Sequence, residues 1–130
     1  MSYAAPAVRY RETQVFTASP MQLVVILYDH LLVNLRRAGI AIESGQPELR
    51  SDYLDRARVA TGELLASLDR ERGGDLAERL AALYAFLLGE LLELGMRPDA
   101  ARLKRITEIA TELRGAFATV AGEVDTGTWE

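Results

Sequence analysis

Apolar side chains recur at intervals of three and four residues in four stretches of the chain, and this spacing constrains the fold more than any other feature. At 100° per residue, such intervals place the side chains on one face of an α-helix. No stretch alternates apolar and polar residues, so we predict an all-α protein. The four rows are Leu23, Leu27, Leu31, Leu35, Ala38 and Ile42; Leu49, Tyr53, Ala57, Ala60, Leu64 and Leu68; Leu76, Leu80, Leu83, Leu87, Leu91 and Leu94; and Leu103, Ile106, Ile109 or Ala110, Leu113, Phe117 and Val120.

Glycine and proline separate the four stretches, at Gly45 and Pro47, at Gly73-Gly74, and at Gly95 and Pro98. Glycine commonly follows the last turn of a helix, and proline is favoured in the first turn. Connections this short make consecutive helices antiparallel. We therefore predict an antiparallel up-down four-helix bundle with a short N-terminal cap segment. The predicted helices run from about Pro20 to Ser44, from about Glu48 to Asp69, from Asp75 towards Gly95, and from about Asp99 to Val120.

The start of the first helix carries three agreeing signals. Ser19 is a favourable N-cap, Pro20 suits the first helical position, and Gln22 has the spacing of a capping box. We divide the chain accordingly into a flexible N-terminal segment (1–19), a four-helix bundle (20–121) and a frayed tail (122–130).

Composition narrows the function classes. A net charge of −4 disfavours non-specific binding to nucleic acid, and the absence of cysteine excludes disulfides and zinc–thiolate sites. No apolar run approaches the roughly 20 residues of a membrane-spanning helix, so we expect no direct membrane insertion. The N-terminus lacks the pattern of a secretion signal, which favours a cytoplasmic protein.

Catalysis is poorly supported because His30 is the only histidine. Metal sites in helical bundles of the di-iron type use a Glu-x-x-His motif on each of two helices, which this chain cannot provide. By helical angle, His30 lies at the border of the inner face, where a partly exposed side chain is the simpler interpretation. We expect no catalytic residue, no metal, no cofactor and no enzymatic activity.

Some apolar residues lie on outward faces instead. Ile26, Val33 and Ile40 recur every seven residues, nearly opposite the leucines of the first helix, and are termed the outer row. Phe86 also projects outward from the third helix. A row of exposed apolar side chains forms a patch that favours burial. Four elements could cover it: residues 8–18, a second copy, a partner helix, or a helix of the same bundle in a wider core.

The segment from Tyr10 to Asp29 resembles the signature of the flagellar export chaperone FliS family, through Thr13, Val15, Thr17-Ala18-Ser19-Pro20, Leu23-Val24 and Leu27-Tyr28-Asp29. A second block, from Gly73 to Phe86, resembles the start of that family's third helix, and Leu113-Arg114 with Ala116-Phe117 resembles the end of its fourth. The sequence departs from the family at three positions. The family often has glycine, asparagine and tryptophan where this chain has His30, Arg79 and Phe117.

The resemblance implies a cytoplasmic chaperone that binds the disordered C-terminal region of flagellin, prevents its premature polymerisation and assists its export. The implied partners are the flagellin C-terminal segment and a flagellar export gate component, and an anti-sigma factor as a second client is left open. The chain is expected to be a monomer or a weak homodimer. In this family the N-terminal segment can lie over part of the client surface and give way to flagellin.

These considerations give one hypothesis and one alternative. Tyr10 and Val15 form a displaceable latch over an apolar groove that contains Ile26 and Val33. The alternative is a structural or regulatory helical-bundle homodimer with a different protein partner. The predicted partner-binding residues are Tyr10, Val15, Ile26, Val33, Ile40 and Phe86, and the residues predicted to support the groove from within are Tyr28 and Tyr84.

Overall fold

The computed structural model describes residues 20–129, with side chains described as far as residue 122, as four α-helices. Helix α1 packs along both α2 and α4, and α2 packs along α3. Each connection is short, so neighbouring helices are antiparallel, and α1 and α3 lie diagonally across the bundle. This arrangement confirms the predicted all-α bundle. The helices are α1 (Pro20–Glu43), α2 (Pro47–Ala66), α3 (Arg70–Met96) and α4 (Ala100–Trp129).

The helix ends follow the local chemistry of the sequence. Gly45 has a φ of 66°, and the N–H of Gln46 donates to the carbonyl of Ala41 at 2.9 Å. The N–H of Gly45 donates to the carbonyl of Ile42 at 3.2 Å, which completes a Schellman motif. Pro20 begins α1 as predicted. Ser19, the predicted cap, lies outside the described residues.

Helix α3 begins earlier than predicted. The prediction placed its start at Asp75, after a break at Gly73-Gly74, whereas the helix begins at Arg70. The Asp69 side chain caps this first turn by accepting from the backbone N–H of Arg72 at 3.1 Å. The glycine pair does interrupt the helix, because Gly74 has φ 53° and ψ −130°. The break is therefore a kink inside α3, made possible by a residue without a Cβ.

The core contains leucines and alanines from all four helices. Most predicted inward positions are buried or half-buried, but Leu49, Leu76 and Val120 are 41%, 64% and 43% exposed. Leu49 lies in the first turn of α2, Leu76 follows the kink of α3, and Val120 is far along α4, so each is near an end of the bundle. A correct helical angle does not bury a side chain where no neighbouring helix covers it.

The seams between the helices differ in width. A Cβ added to Gly39 of α1 would lie 3.7 Å from the Leu103 side chain of α4, so these helices approach each other closely. Among the described residues, α3 and α4 pack less closely against each other than α1 and α4 do. Leu83, Leu87 and Glu90 share one stripe of α3, and both oxygens of the Glu90 carboxylate accept from Arg102 of α4 at 2.7 Å. Leucine side chains and an ion pair therefore fill the wider seam.

Helix α4 continues past its predicted end. The prediction closed the bundle at residue 121, but the backbone remains helical to Trp129. No proline follows Pro98, so nothing in the tail removes a helical hydrogen bond. Fraying of 122–130 concerns motion and stays a prediction.

An aromatic cluster, formed by Tyr28, Tyr84 and Phe117, joins α1, α3 and α4. The hydroxyls of Tyr28 and Tyr84 are 2.8 Å apart, and one donates to the other. The Phe117 ring stacks on Tyr28 with centroids 5.5 Å apart. Both tyrosines are almost completely buried. A buried hydroxyl is costly without a partner, so the pair favours one diagonal register of α1 against α3.

Replacement of one hydroxyl should cost more than replacement of both. Tyr84→Phe leaves the Tyr28 hydroxyl buried without its partner, and we expect a loss of about 1–3 kcal/mol in the free energy of unfolding. The Tyr28→Phe/Tyr84→Phe double variant should recover most of this loss, since no polar group is then stranded. Urea unfolding of the three variants measures the difference. A double variant as unstable as the sum of the single variants would contradict the interpretation.

Candidate partner-binding surfaces

The described helices leave most of the outer row uncovered. Ile40 is 66% and Val33 40% exposed, whereas Ile26 is half-buried. The row lies on the side of α1 that faces away from the core, between the seams with α2 and α4. None of the four described helices fully covers Val33 or Ile40, so a helix among them is not the cover of these two residues.

A groove lies beside the outer row, along the seam between α1 and α2, with a volume of about 310 Å³. His30 and Asn34 line it from α1, and Val59 of α2 is 60% exposed at its edge. We name this feature the α1–α2 groove. The exposed His30 is part of this surface, consistent with its predicted place at the border of the inner face. The α2 side is formed by Asp55, Arg56, Val59, Ala60 and Glu63.

Two arginines and a tyrosine flank this groove. The guanidinium carbons of Arg37 and Arg56 lie 5.9 Å and 5.6 Å from the centre of the Tyr53 ring. These distances are typical of cation–π contacts. Asp55, the nearest carboxylate in sequence to Arg56, forms its ion pair with Arg58. The groove therefore combines exposed apolar side chains with cations that rest on an aromatic ring.

An apolar pocket of about 240 Å³ lies at the end of the bundle where α1 begins. Leu76 and Leu80 of α3 and Phe117 of α4 line it, together with Met21 and Val24 of α1. We name it the end pocket. Leucine spacing assigned Leu76 and Leu80 to the core and so missed this opening. The signal that could have found it is the position of Leu76 two residues after the Gly73-Gly74 interruption.

The predicted residues do not converge on one groove. Phe86 is 52% exposed on α3, which is diagonal to α1, so it lies on the opposite side of the bundle from the outer row. Tyr28 and Tyr84 lie in the core, where Tyr84 lines the end pocket rather than the α1–α2 groove. The predicted latch residues, Tyr10 and Val15, lie outside the described residues.

Ion pairs hold α4 from two sides. The Nε of Arg114 donates to the Asp29 carboxylate of α1 at 2.5 Å, next to the outer row. On the other side Arg102 forms the pair with Glu90, and this hydrogen-bonded partner lowers the pKa of the Glu90 carboxyl. The two pairs fix the helix that supplies Phe117 to the end pocket.

The part of the chain that the structure describes offers few other sites. It contains no helix long and apolar enough to cross a membrane. Within the same residues, no three His, Asp or Glu side chains are grouped so that they could hold a metal ion.

A helical bundle with a buried core and apolar side chains exposed on its outer faces is a protein-interaction module. The sequence matches the family described as "Flagellar protein FliS" over residues 2–124. The chain belongs to the FliS family, which is a family of chaperones for flagellar export. The match confirms the resemblance that the segments around Tyr10–Asp29 and Gly73–Phe86 indicated.

Individual relatives are similar over most of their length. The flagellar secretion chaperone FliS of Salmonella typhimurium is 30% identical over 111 residues, which cover 85% of this chain and 82% of the relative. The flagellar secretion chaperone FliS of Bacillus subtilis is 27% identical over 117 residues, 90% and 86% of the two chains. The flagellar secretion chaperone FliSB of Pseudomonas aeruginosa is 30% identical over 106 residues, 82% and 84%.

The buried tyrosine pair should make the protein sensitive to alkali. Burial raises the pKa of both Tyr28 and Tyr84 above the ordinary value of 10.0. Above pH 10 the unfolded chain loses these protons while the folded chain retains them, so stability falls as pH rises. Urea midpoints measured between pH 8 and pH 11 (roughly the range around a free tyrosine) should decline. The Tyr28→Phe/Tyr84→Phe variant should decline less steeply, and equal slopes would refute the assignment.

Proposed function

We propose that this chain acts in the cytoplasm as a flagellin chaperone: it binds the disordered C-terminal region of flagellin, keeps it from polymerising and assists its export. Membership of the FliS family supports the chaperone role. The observation that carries the proposal is that Val33 and Ile40 are exposed on α1, beside a groove whose α2 edge carries the exposed Val59, on a bundle whose core is already filled.

The α1–α2 groove is the surface that we assign to the client. Exposed rows at helical spacing suit an amphipathic helix, which lays its apolar face between two helices. The outer row provides contacts along α1, and Val59 provides one across the groove. A disordered client that folds on this surface spends part of its interaction energy on ordering, so it needs a long contact.

A client that continues around the bundle could also reach the remaining apolar features. Phe86 lies on the far side, and the end pocket opens where α1 begins. A cavity of about 150 Å³ can hold a benzene molecule, so 240 Å³ suits one large apolar side chain. We therefore assign Phe86 and the end pocket to later contacts of the same client.

The N-terminal segment is proposed as a latch. Residues 1–19 join α1 at Pro20, close to Met21 and Val24 of the end pocket. Tyr10 and Val15 offer only a small apolar area, which a longer client segment can displace. The receiving partner in export is proposed to be a component of the flagellar export gate. We assign no surface to an anti-sigma factor, which the sequence leaves open as a second client.

A charge in the outer row should weaken client binding without unfolding the bundle. Ile40→Asp places a carboxylate on the most exposed residue of the row, and we expect the affinity for the C-terminal fragment of flagellin to fall about tenfold or more, since burial of an isoleucine contributes about 1.5–3 kcal/mol. Calorimetric titration measures the affinity. The matched control is Thr111→Asp on an exposed part of α4, which should bind normally.

Ile40 is a better test position than Ile26, because Ile26 is half-buried and its replacement would also perturb packing. An Ile40→Asp variant with the wild-type melting temperature and wild-type affinity would remove the groove assignment. Light scattering at several concentrations tests the homodimer alternative. A stable dimer that the same substitution dissociates would favour the second copy as the occupant of this face.

Removal of the latch should not weaken binding. A variant without residues 1–15 should bind the flagellin fragment as tightly as the full chain or more tightly, because the client no longer competes with the segment. Calorimetry compares the two proteins under the same conditions. A large loss of affinity would show that Tyr10 and Val15 contact the client directly.

A further inference from the structure

The Arg37–Tyr53–Arg56 cluster lies beside the α1–α2 groove, where Tyr53 borders the core and the two arginines lie outside it. Arg37 and Arg56 are exposed, one on each helix of the seam, and both approach the ring of Tyr53. Neither forms an ion pair with a carboxylate of the described residues. Asp52 lies one turn before Arg56, within reach on the surface of α2, yet Arg56 is directed to Tyr53 instead.

Several other arginines of the described residues are paired with carboxylates instead. Arg102, Arg114 and Arg58 each pair with a carboxylate of the same chain. With a net charge of −4, carboxylates are more numerous than cations, so unpaired arginines do not result from a shortage of acids. An aromatic ring attracts a guanidinium but accepts none of its five N–H donors in a conventional hydrogen bond. The donors of Arg37 and Arg56 therefore remain available.

The ring also restricts the two side chains. A free arginine loses much rotational freedom when it binds a carboxylate, whereas a guanidinium already held over a ring loses less. The same surface carries Val33 and Val59, both exposed. A segment that fits this face needs apolar side chains for the valines and carboxylates for the arginines.

We infer that the Arg37–Tyr53–Arg56 cluster is a carboxylate-recognition site, and that the client segment which occupies the α1–α2 groove is an amphipathic segment with acidic residues beside its apolar face. The inference rests on the proposed function and specifies the chemistry of the client at that surface. Apolar contacts supply most of the affinity, and the arginines fix the direction and register of the bound segment. Opposite charges across an interface provide specificity and steering more than affinity.

The test compares neutral replacements at neighbouring positions. Arg37→Gln and Arg56→Gln should each lower the affinity for the C-terminal flagellin fragment about two- to fivefold at about 0.1 M salt, as for exposed ion pairs. The loss should disappear at about 1 M salt, where the Debye length is about 3 Å. Arg36→Gln is the matched control, because Arg36 is the adjacent residue but lines the seam between α1 and α4.

The outcomes separate this inference from the proposed function. A client fragment with its carboxylates replaced by amides should bind wild type and Arg56→Gln equally, which would support the recognition site. Normal binding by Arg37→Gln and Arg56→Gln, together with weak binding by Ile40→Asp, would overturn the inference and leave the chaperone assignment intact. An equal loss with Arg36→Gln would also overturn it, because the effect would then be one of net charge. Normal binding by all variants would overturn both assignments of this groove.

Discussion

The hydrogen bond between the buried hydroxyls of Tyr28 and Tyr84 is the interaction on which the arrangement of the bundle depends most directly. It joins α1 to α3, the two helices that face each other across the core rather than along a seam. Apolar packing alone permits small shifts of one helix along another, whereas a paired hydroxyl in an apolar core has one favourable position. Phe117 stacks on the same ring, so the position of α4 is coupled to the same contact. The floor of the end pocket follows from this cluster.

The exposure of the outer row follows from the packing of the opposite, inner face of α1. Small residues such as Ala38 and Gly39 let neighbouring helices approach closely, so α1 buries the middle of its inner stripe, from Leu27 to Ala38. Because the inner stripe of α1 faces the core, Val33 and Ile40 on the opposite face cannot be buried there. These side chains remain on the surface, next to the arginines over Tyr53. One helix thus serves the core on one side and presents a binding surface on the other.

The sequence allowed the helix number, the antiparallel order and the inner stripes to be predicted, because periodicity and glycine or proline breaks act locally. The FliS family resemblance came separately, from the motifs in Tyr10–Asp29 and Gly73–Phe86. The sequence did not predict which end of an inner stripe is left without a neighbouring helix to bury it. Leu76 and Leu80 have the spacing of core residues, and only the three-dimensional arrangement shows that they line an open pocket. The outer row was found from its seven-residue spacing, but its separation from Phe86 requires the diagonal placement of α1 and α3. Tyr53 and Arg56 are three residues apart on α2, a spacing visible in the sequence, but the contact of Tyr53 with Arg37 joins two helices and has no signal in the sequence.

The unequal seams have a consequence for how the molecule comes apart. Helix α1 is joined along its length to α2 and to α4, while α3 is joined along its length only to α2 among the described residues. The seam between α3 and α4 is wide and is bridged by the Glu90–Arg102 pair. Water therefore reaches its side chains after a smaller movement of the helices than at a closely packed seam. Partial opening of the native state should therefore begin between α3 and α4, as a low-energy excursion well below global unfolding. For a chaperone that must release its client, opening between α3 and α4 would leave α1, which carries the outer row, in place.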